Sequence, residues 1–139
     1  MSNKLFNIKT QYIKNISFEN PNPIKNIHKN QISPNISIGI DIQAQTISDN
    51  LYETTINIQA NIKREEEHLF LIDLSYAGIF ILNNKIQKDK IQTVLLIDCP
   101  EFLFPFARTI IANITREGGF PPLILSAIDF KELYEKEKK

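Results

Sequence analysis

Apolar and polar side chains take turns along the first half of the chain. Over residues 6–18 the even positions are Phe6, Ile8, Thr10, Tyr12, Lys14, Ile16 and Phe18, while Asn7, Lys9, Gln11, Asn15, Ser17 and Glu19 make the odd positions mostly polar. A strand points successive side chains to opposite faces, so a period of two predicts a half-buried strand. Asn20-Pro21-Asn22-Pro23 breaks the pattern, and a polar connector runs to Pro34. Ile36, Ile38, Ile40, Ile42 and Ala44 then alternate with Ser37, Gly39, Asp41, Gln43 and Gln45 in a second strand. After a turn at Ser48-Asp49-Asn50, a third strand alternates Tyr52, Thr54, Ile56, Ile58, Ala60 and Ile62 with Glu53, Thr55, Asn57, Gln59 and Asn61. The charged stretch 63–67 predicts a turn and residues 69–75 a fourth strand. Three hairpin-like links predict an antiparallel sheet with one wet face.

Past Phe80 the period changes. Residues 91–97 are mostly apolar but short, and fit either a helical turn or a strand. Pro100 suits the first turn of a helix, and Phe102, Leu103, Phe106, Ala107, Ile110, Ile111 and Ile114 recur at steps of three and four. Pro105 lies near enough to the start to be tolerated, or else kinks the first turns. Gly118-Gly119 gives a stop, and Pro121-Pro122 forces residues 120–125 to be extended. Asp129 with Glu132 opens a last helix, with Phe130, Leu133 and Tyr134 on one face. The expected class is α+β: a four-stranded antiparallel sheet followed by C-terminal helices packed on one face, in one domain over residues 1–139.

Composition removes several functions. Sixteen basic and sixteen acidic side chains cancel, which takes away the broad electrostatic case for nucleic acid. The first ten residues lack the apolar core of a signal peptide, and no apolar run approaches the ~20 residues that span a bilayer, so no membrane insertion is expected. A single cysteine, Cys99, fits a reducing compartment, and the expected location is the cytoplasm. Four glycines, at 39, 78, 118 and 119, cannot be spaced into a phosphate-binding loop. His28, His68 and Cys99 do not form a metal set. Cys99 stands beside Asp98, the wrong charge for a reactive thiolate, and reads as a small residue at a helix start. No enzyme, catalytic residue, cofactor or metal is proposed from the sequence.

Three features remain. The polar face of the sheet carries Glu19, Asp41, Glu53 and Asp73, and the alternation places Leu69 and Leu71 on that face too. A leucine among acids suits a basic, partly apolar partner, although single exposed leucines are ordinary. The helix is apolar around more than the ~100° that a sheet-covering helix needs. It is either a subunit contact or a helix sunk between its own sheet and residues 120–125. Finally, an extended apolar strip pinned by Pro121 and Pro122, with an amphipathic helix after it, leaves a groove lined by Phe120, Leu123, Leu125, Phe130, Leu133 and Tyr134. Such a groove takes extended apolar chain with little sequence demand.

The stretches ISFENP (16–21), AGIF (77–80), CPEFLFPFAR (99–108) and GGFPPLIL with DF and LY after it (118–134) resemble the SecB family of protein-export chaperones, in order and over nearly the whole chain. The resemblance implies a dimer of dimers that holds unfolded secretory precursor proteins without ATP and delivers them to the translocase motor SecA. It places SecA docking on Glu19, Leu71 and Asp73 and client binding on Phe120, Pro121, Leu123, Leu125, Phe130, Leu133 and Tyr134, while the over-wide apolar surface of the helix itself puts a homotetramer interface on Phe102, Phe106, Ile110 and Ile114. Asn15 stands where the family has another docking acid, and Ser126-Ala127 replace a more proline-rich stretch. The family is commonly acidic, whereas this chain is neutral and ends Lys136-Glu137-Lys138-Lys139. Two other readings stay open: a same-fold chaperone or binding protein for a different dedicated client without SecA docking, and an enzyme or small-molecule binder using the groove.

Overall fold

The strands β1 (Phe6–Glu19), β2 (Asn35–Ser48), β3 (Leu51–Arg64) and β4 (Glu67–Leu82) form one antiparallel sheet in the order β1-β4-β3-β2. The computed structural model describes residues 4–23 and 34–138. β3 and β4, the strands with the most buried side chains, take the middle, while the more polar β1 and β2 take the edges. Tight turns join β2 to β3 and β3 to β4, with Asn50 (φ 60°) and Glu65 (φ 59°) in the left-handed region such turns require. The expectation of three hairpin-like links is corrected here. β1 pairs with β4 and β2 with β3, at opposite edges of the sheet, so β1 and β2 are not hairpin partners. Residues 1–3 and 24–33, including most of the polar connector and His28, lie outside the described residues.

Two bulges shape β1. Its register with β4 slips at Lys9 and again at Lys14, and each extra residue exchanges the faces of the residues after it. Phe6, Ile8, Ile16 and Phe18 therefore share one face, but Thr10 and Tyr12 turn to the other. A third slip, at Leu69 in β4, overturns another expectation: Leu69 does not join Leu71 on the wet face but lies in the core at 4% exposure.

Helical structure begins before Pro100. A 3₁₀ turn (Lys88–Lys90), one α turn (Ile91–Thr93) and a π turn (Val94–Asp98) lead into the long helix Cys99–Glu117, so the ambiguous run 91–97 is helical. The wider turn sends the Cys99 N–H to the Val94 carbonyl, and Pro100 next to it has no N–H to continue the ladder. The long helix runs on through Pro105. Five of its buried positions, Cys99, Leu103, Ala107, Ile111 and Thr115, recur every four residues as a ridge, with Pro100 and Phe104 buried beside it. Thr54 Oγ1 ties the sheet to this layer by donating to the Leu95 carbonyl at 3.0 Å. At the far end the Phe18 ring occupies the space where a side chain at Gly118 would begin, and Asn20 Nδ2 donates to the Gly118 carbonyl at 3.1 Å. Phe120 lies at a bend, and residues 121–129 form neither helix nor strand. The last helix (Phe130–Lys138) starts with the Glu132 N–H on Asp129 Oδ1 at 3.0 Å, the capping contact expected of Asp129.

Candidate functional site: a polar sheet face and an apolar helix side

The helices cover one face of the sheet. The other face is crossed by straight rows of side chains taken in the order β1, β4, β3, β2. One row is Asn15, Ser75, Asn57, Asp41; the next is Ser17, Asp73, Gln59, Gly39; the third is Glu19, Leu71, Asn61, Ser37. Glu19 and Leu71 are thus direct cross-strand partners, with Asp73 one row away. The three residues that the resemblance assigns to docking are brought together. With Ser37 and Gly39 they border an open depression of ≈ 440 Å³. Uncharged polar contacts stiffen the rows: Ser75 Oγ donates to Asn57 Oδ1 at 2.6 Å, and His68 Nδ1 bonds Asn61 Oδ1 at 2.8 Å. Asn15 shares the face, as expected.

Glu53 behaves differently from the other acids. It lies on this face but is 7% exposed, covered by side chains from both edges of the sheet. Tyr12 donates its hydroxyl to Glu53 Oε2, while Lys14 Nζ (3.1 Å) and Gln45 Nε2 (3.0 Å) both donate to Oε1. Burial alone would raise the Glu53 pKa. The Tyr12 and Lys14 hydrogen bonds, the Lys14 charge and the Gln45 contact outweigh it and hold the carboxyl below its usual range. Burial and the adjacent carboxylate push the Tyr12 phenol up to about 12. The sequence had Glu53 as one more acid on a wet face; its enclosure depends on the β1 bulges that bring Tyr12 and Lys14 across.

The helix side carries the apolar surface. Next to the buried ridge of the long helix runs a second one, Phe102, Phe106, Ile110 and Ile114, also at steps of four. Phe102, Ile110 and Ile114 are half-buried and Phe106 is 45% exposed. Phe102 links the ring of Phe6 (5.9 Å) to that of Phe106 (5.8 Å), which carries the ridge toward β1. On the same face of β1, Ile13 and Ile16 are exposed.

The strip after the helix is anchored rather than loose. Phe120 packs on Phe70 (4.6 Å) and Phe18 (6.4 Å). Thr115 Oγ1, fully buried, accepts the Leu123 N–H at 2.9 Å, and the Phe120 N–H reaches the Thr115 carbonyl at 3.1 Å. Leu125 is buried, and Phe130 is buried against Phe104 at 5.7 Å. Within one chain these two hold the strip and the last helix in place. Pro121 is exposed, Leu123, Leu133 and Tyr134 are half-buried, and Ile124 is 67% exposed. Sequence reasoning did not single out Ile36 and Ile38, which are exposed on the helix-bearing face of edge strand β2. Their alternation was visible. Their exposure results from the strand order.

Cys99 lies fully buried at the start of the long helix, and burial pushes its thiol up to about 12. Among the described residues no group of His, Cys, Asp and Glu could hold a metal ion, and no helix is long and apolar enough to cross a membrane.

One polar face with acids around a leucine lies opposite a side with broad open apolar surface, an arrangement with the character of a polypeptide-binding protein. The family described as preprotein translocase subunit SecB matches residues 1–139. The protein-export protein SecB of Rhodospirillum centenum is 41% identical over 130 residues, covering 94% of this chain and 77% of that protein. The SecB of Hyphomonas neptunium is 44% identical over 131 residues, covering 91% and 75%. Among solved structures, a SecB-like chaperone of Mycobacterium tuberculosis, in complex with a peptide from an antitoxin, superposes with a TM-score of 0.71 at 10% identity, over 89% of this chain and 91% of that one. The chain belongs to the SecB family of protein-export chaperones.

Proposed function

We propose that this protein is an ATP-independent chaperone of the cytoplasm that binds unfolded secretory precursors along its helix side and delivers them to SecA through its polar sheet face. The cross-strand pairing of Glu19 with Leu71, one row from Asp73, is the observation that carries the delivery step. It sets an apolar side chain between two acids on a flat surface, which matches a basic segment with an apolar element. Holding relies on apolar surface left open: Phe120, Pro121, Leu123, Leu133 and Tyr134, joined by Ile124 and by Ile36 and Ile38 of β2. Leu125 and Phe130 support this strip from beneath. Many small apolar contacts suit clients that share no sequence.

The homotetramer belongs to the same proposal. The ridge Phe102, Phe106, Ile110 and Ile114, with Ile13 and Ile16 beside it, is the surface for a second copy, and closed symmetry is the usual way to bury such a patch.

The test is to dilute an unfolded secretory precursor into buffer with and without the protein, in the absence of ATP, and measure aggregation by light scattering. Suppression at a stoichiometric ratio is expected; aggregation unaffected by the protein rejects the holding function. Titration with purified SecA separates delivery from the reading of a dedicated client without SecA docking. Binding that Leu71→Lys weakens supports delivery, and absence of binding favours the dedicated client.

A further inference from the structure

We infer that Glu53 is a positioning residue for docking at the polar sheet face: it ties down the ammonium group of Lys14 and thereby keeps that face acidic toward its partner. The inference rests on the reading that this face docks SecA. Lys14 is the extra residue of the second β1 bulge, immediately before Asn15, where the docking rows begin. An untethered lysine there would set a mobile positive charge beside the surface offered to a basic segment. Instead its Nζ lies 3.1 Å from Glu53 Oε1, with the Lys14 side chain 42% exposed and that of Glu53 only 9%. The acid is therefore withdrawn beneath the cation rather than displayed beside it.

The surroundings fix the acid in that role. Opposite Tyr12 in the register stands Ala77, which offers only a methyl group, so the phenol reaches over β4 to β3. Gln45 approaches from β2. Three donors from both edge strands converge on one carboxylate and hold it ionised, so its charge is available to Lys14 throughout the neutral range. Asp73, one strand over and one row on from Asn15, is then left without that cation beside it. Exposed charges couple over roughly 8–10 Å at physiological salt, so a single released lysine is felt across neighbouring rows.

The experiment titrates purified SecA, at low and moderate salt, into the wild type, Glu53→Gln, Lys14→Gln, the double variant and Leu71→Lys, with ATP-free holding of an unfolded precursor as the check on fold. Glu53→Gln keeps the side-chain volume and should weaken docking by about two- to fivefold, the range of an exposed charge, with the loss shrinking as salt rises. Lys14→Gln should tighten docking by a similar factor. The double variant should return to wild-type affinity with holding unchanged in all. A double variant as weak as Glu53→Gln would show that the acid merely braces the sheet, and wild-type docking by Glu53→Gln would overturn the inference directly. If Leu71→Lys also docks like wild type, the docking face itself has been misplaced. If Leu71→Lys is weak and Glu53→Gln is not, only the role of Glu53 falls.

Discussion

Gly78 of β4 lies directly beneath Leu103 of the long helix. A Cβ at that position would stand 2.9 Å from Leu103 Cδ2 and 3.0 Å from both Ile8 Cδ1 and Phe80 Cε1. Leu103 can sit low on the sheet because the strand has no side chain there. Filling the space forces the helix or its neighbours to move, and overpacking of this kind costs about 1–3 kcal/mol. Gly78→Ala should lower the urea midpoint by a corresponding amount, and Gly78→Val by more. An unchanged midpoint for Gly78→Val would mean that the contact is not tight.

Thr115 joins the long helix to the strip beyond it. Its hydroxyl accepts the Leu123 N–H and donates back to the helix, 3.0 Å from the Ile111 carbonyl and 2.9 Å from that of Ala112. Thr115→Val keeps the shape but leaves the Leu123 amide unpaired, which costs about 1–3 kcal/mol where the group is shielded from water. Hydrogen exchange at Leu123 should accelerate while amides in β3 and β4 stay protected. Equal protection of Leu123 in both proteins would show that the strip is held by Phe120 and Leu125 alone.

The Glu53 cluster gives stability a defined pH dependence. The folded carboxyl lies below its usual range. Its contribution is therefore present above the unfolded pKa and is lost as pH falls through the folded one. Tyr12 is the reverse case, raised to about 12. Its contribution is present below the unfolded tyrosine value of ~10 and is lost as pH rises from there toward the folded value. Glu53→Gln should flatten the acid limb of a Tm-against-pH curve, and Tyr12→Phe the alkaline limb. Curves parallel to wild type at both ends would contradict the assignment.

Phe106 is large, apolar and 45% exposed in the middle of the second helix ridge. If a second copy covers that ridge, Phe106→Asp buries a charge in the contact and should shift the assembly toward smaller species in light scattering at micromolar concentration. The fold should survive, since the side chain does not face the sheet. A mass unchanged from wild type would place the subunit contact elsewhere.

Much of this architecture is legible in the pattern of side chains. Period-two runs mark all four strands, Pro121-Pro122 keep the segment after the long helix out of helix, and the four-residue steps from Phe102 to Ile114 mark the helix. The pattern also makes β1 and β2 neighbours and ends β4 at Ser75 instead of Leu82, but the side chains it puts on the wrong face trace to three single residues, Lys9, Lys14 and Leu69. A bulge does not change composition or local propensity; it changes parity, and parity is set by the partner strand. The two slips in β1 cancel, so Glu19 falls on the face that simple alternation gives it. Tyr12, between them, falls on the opposite one.

The sequence by itself determined the elements, the absence of a strong net charge, and the residues that match the SecB family, because these rest on local periodicity and on the identity of side chains. Tertiary structure decided which strands became edges, which acid was enclosed and which apolar residues stayed open. Glu53 is covered because β1 crosses to lie beside β4 and slips twice against it. Ile38 is left exposed because β2 has β3 on one side and is the last strand of its sheet. Both outcomes depend on contacts between residues far apart in the chain, whose free energies no local window contains.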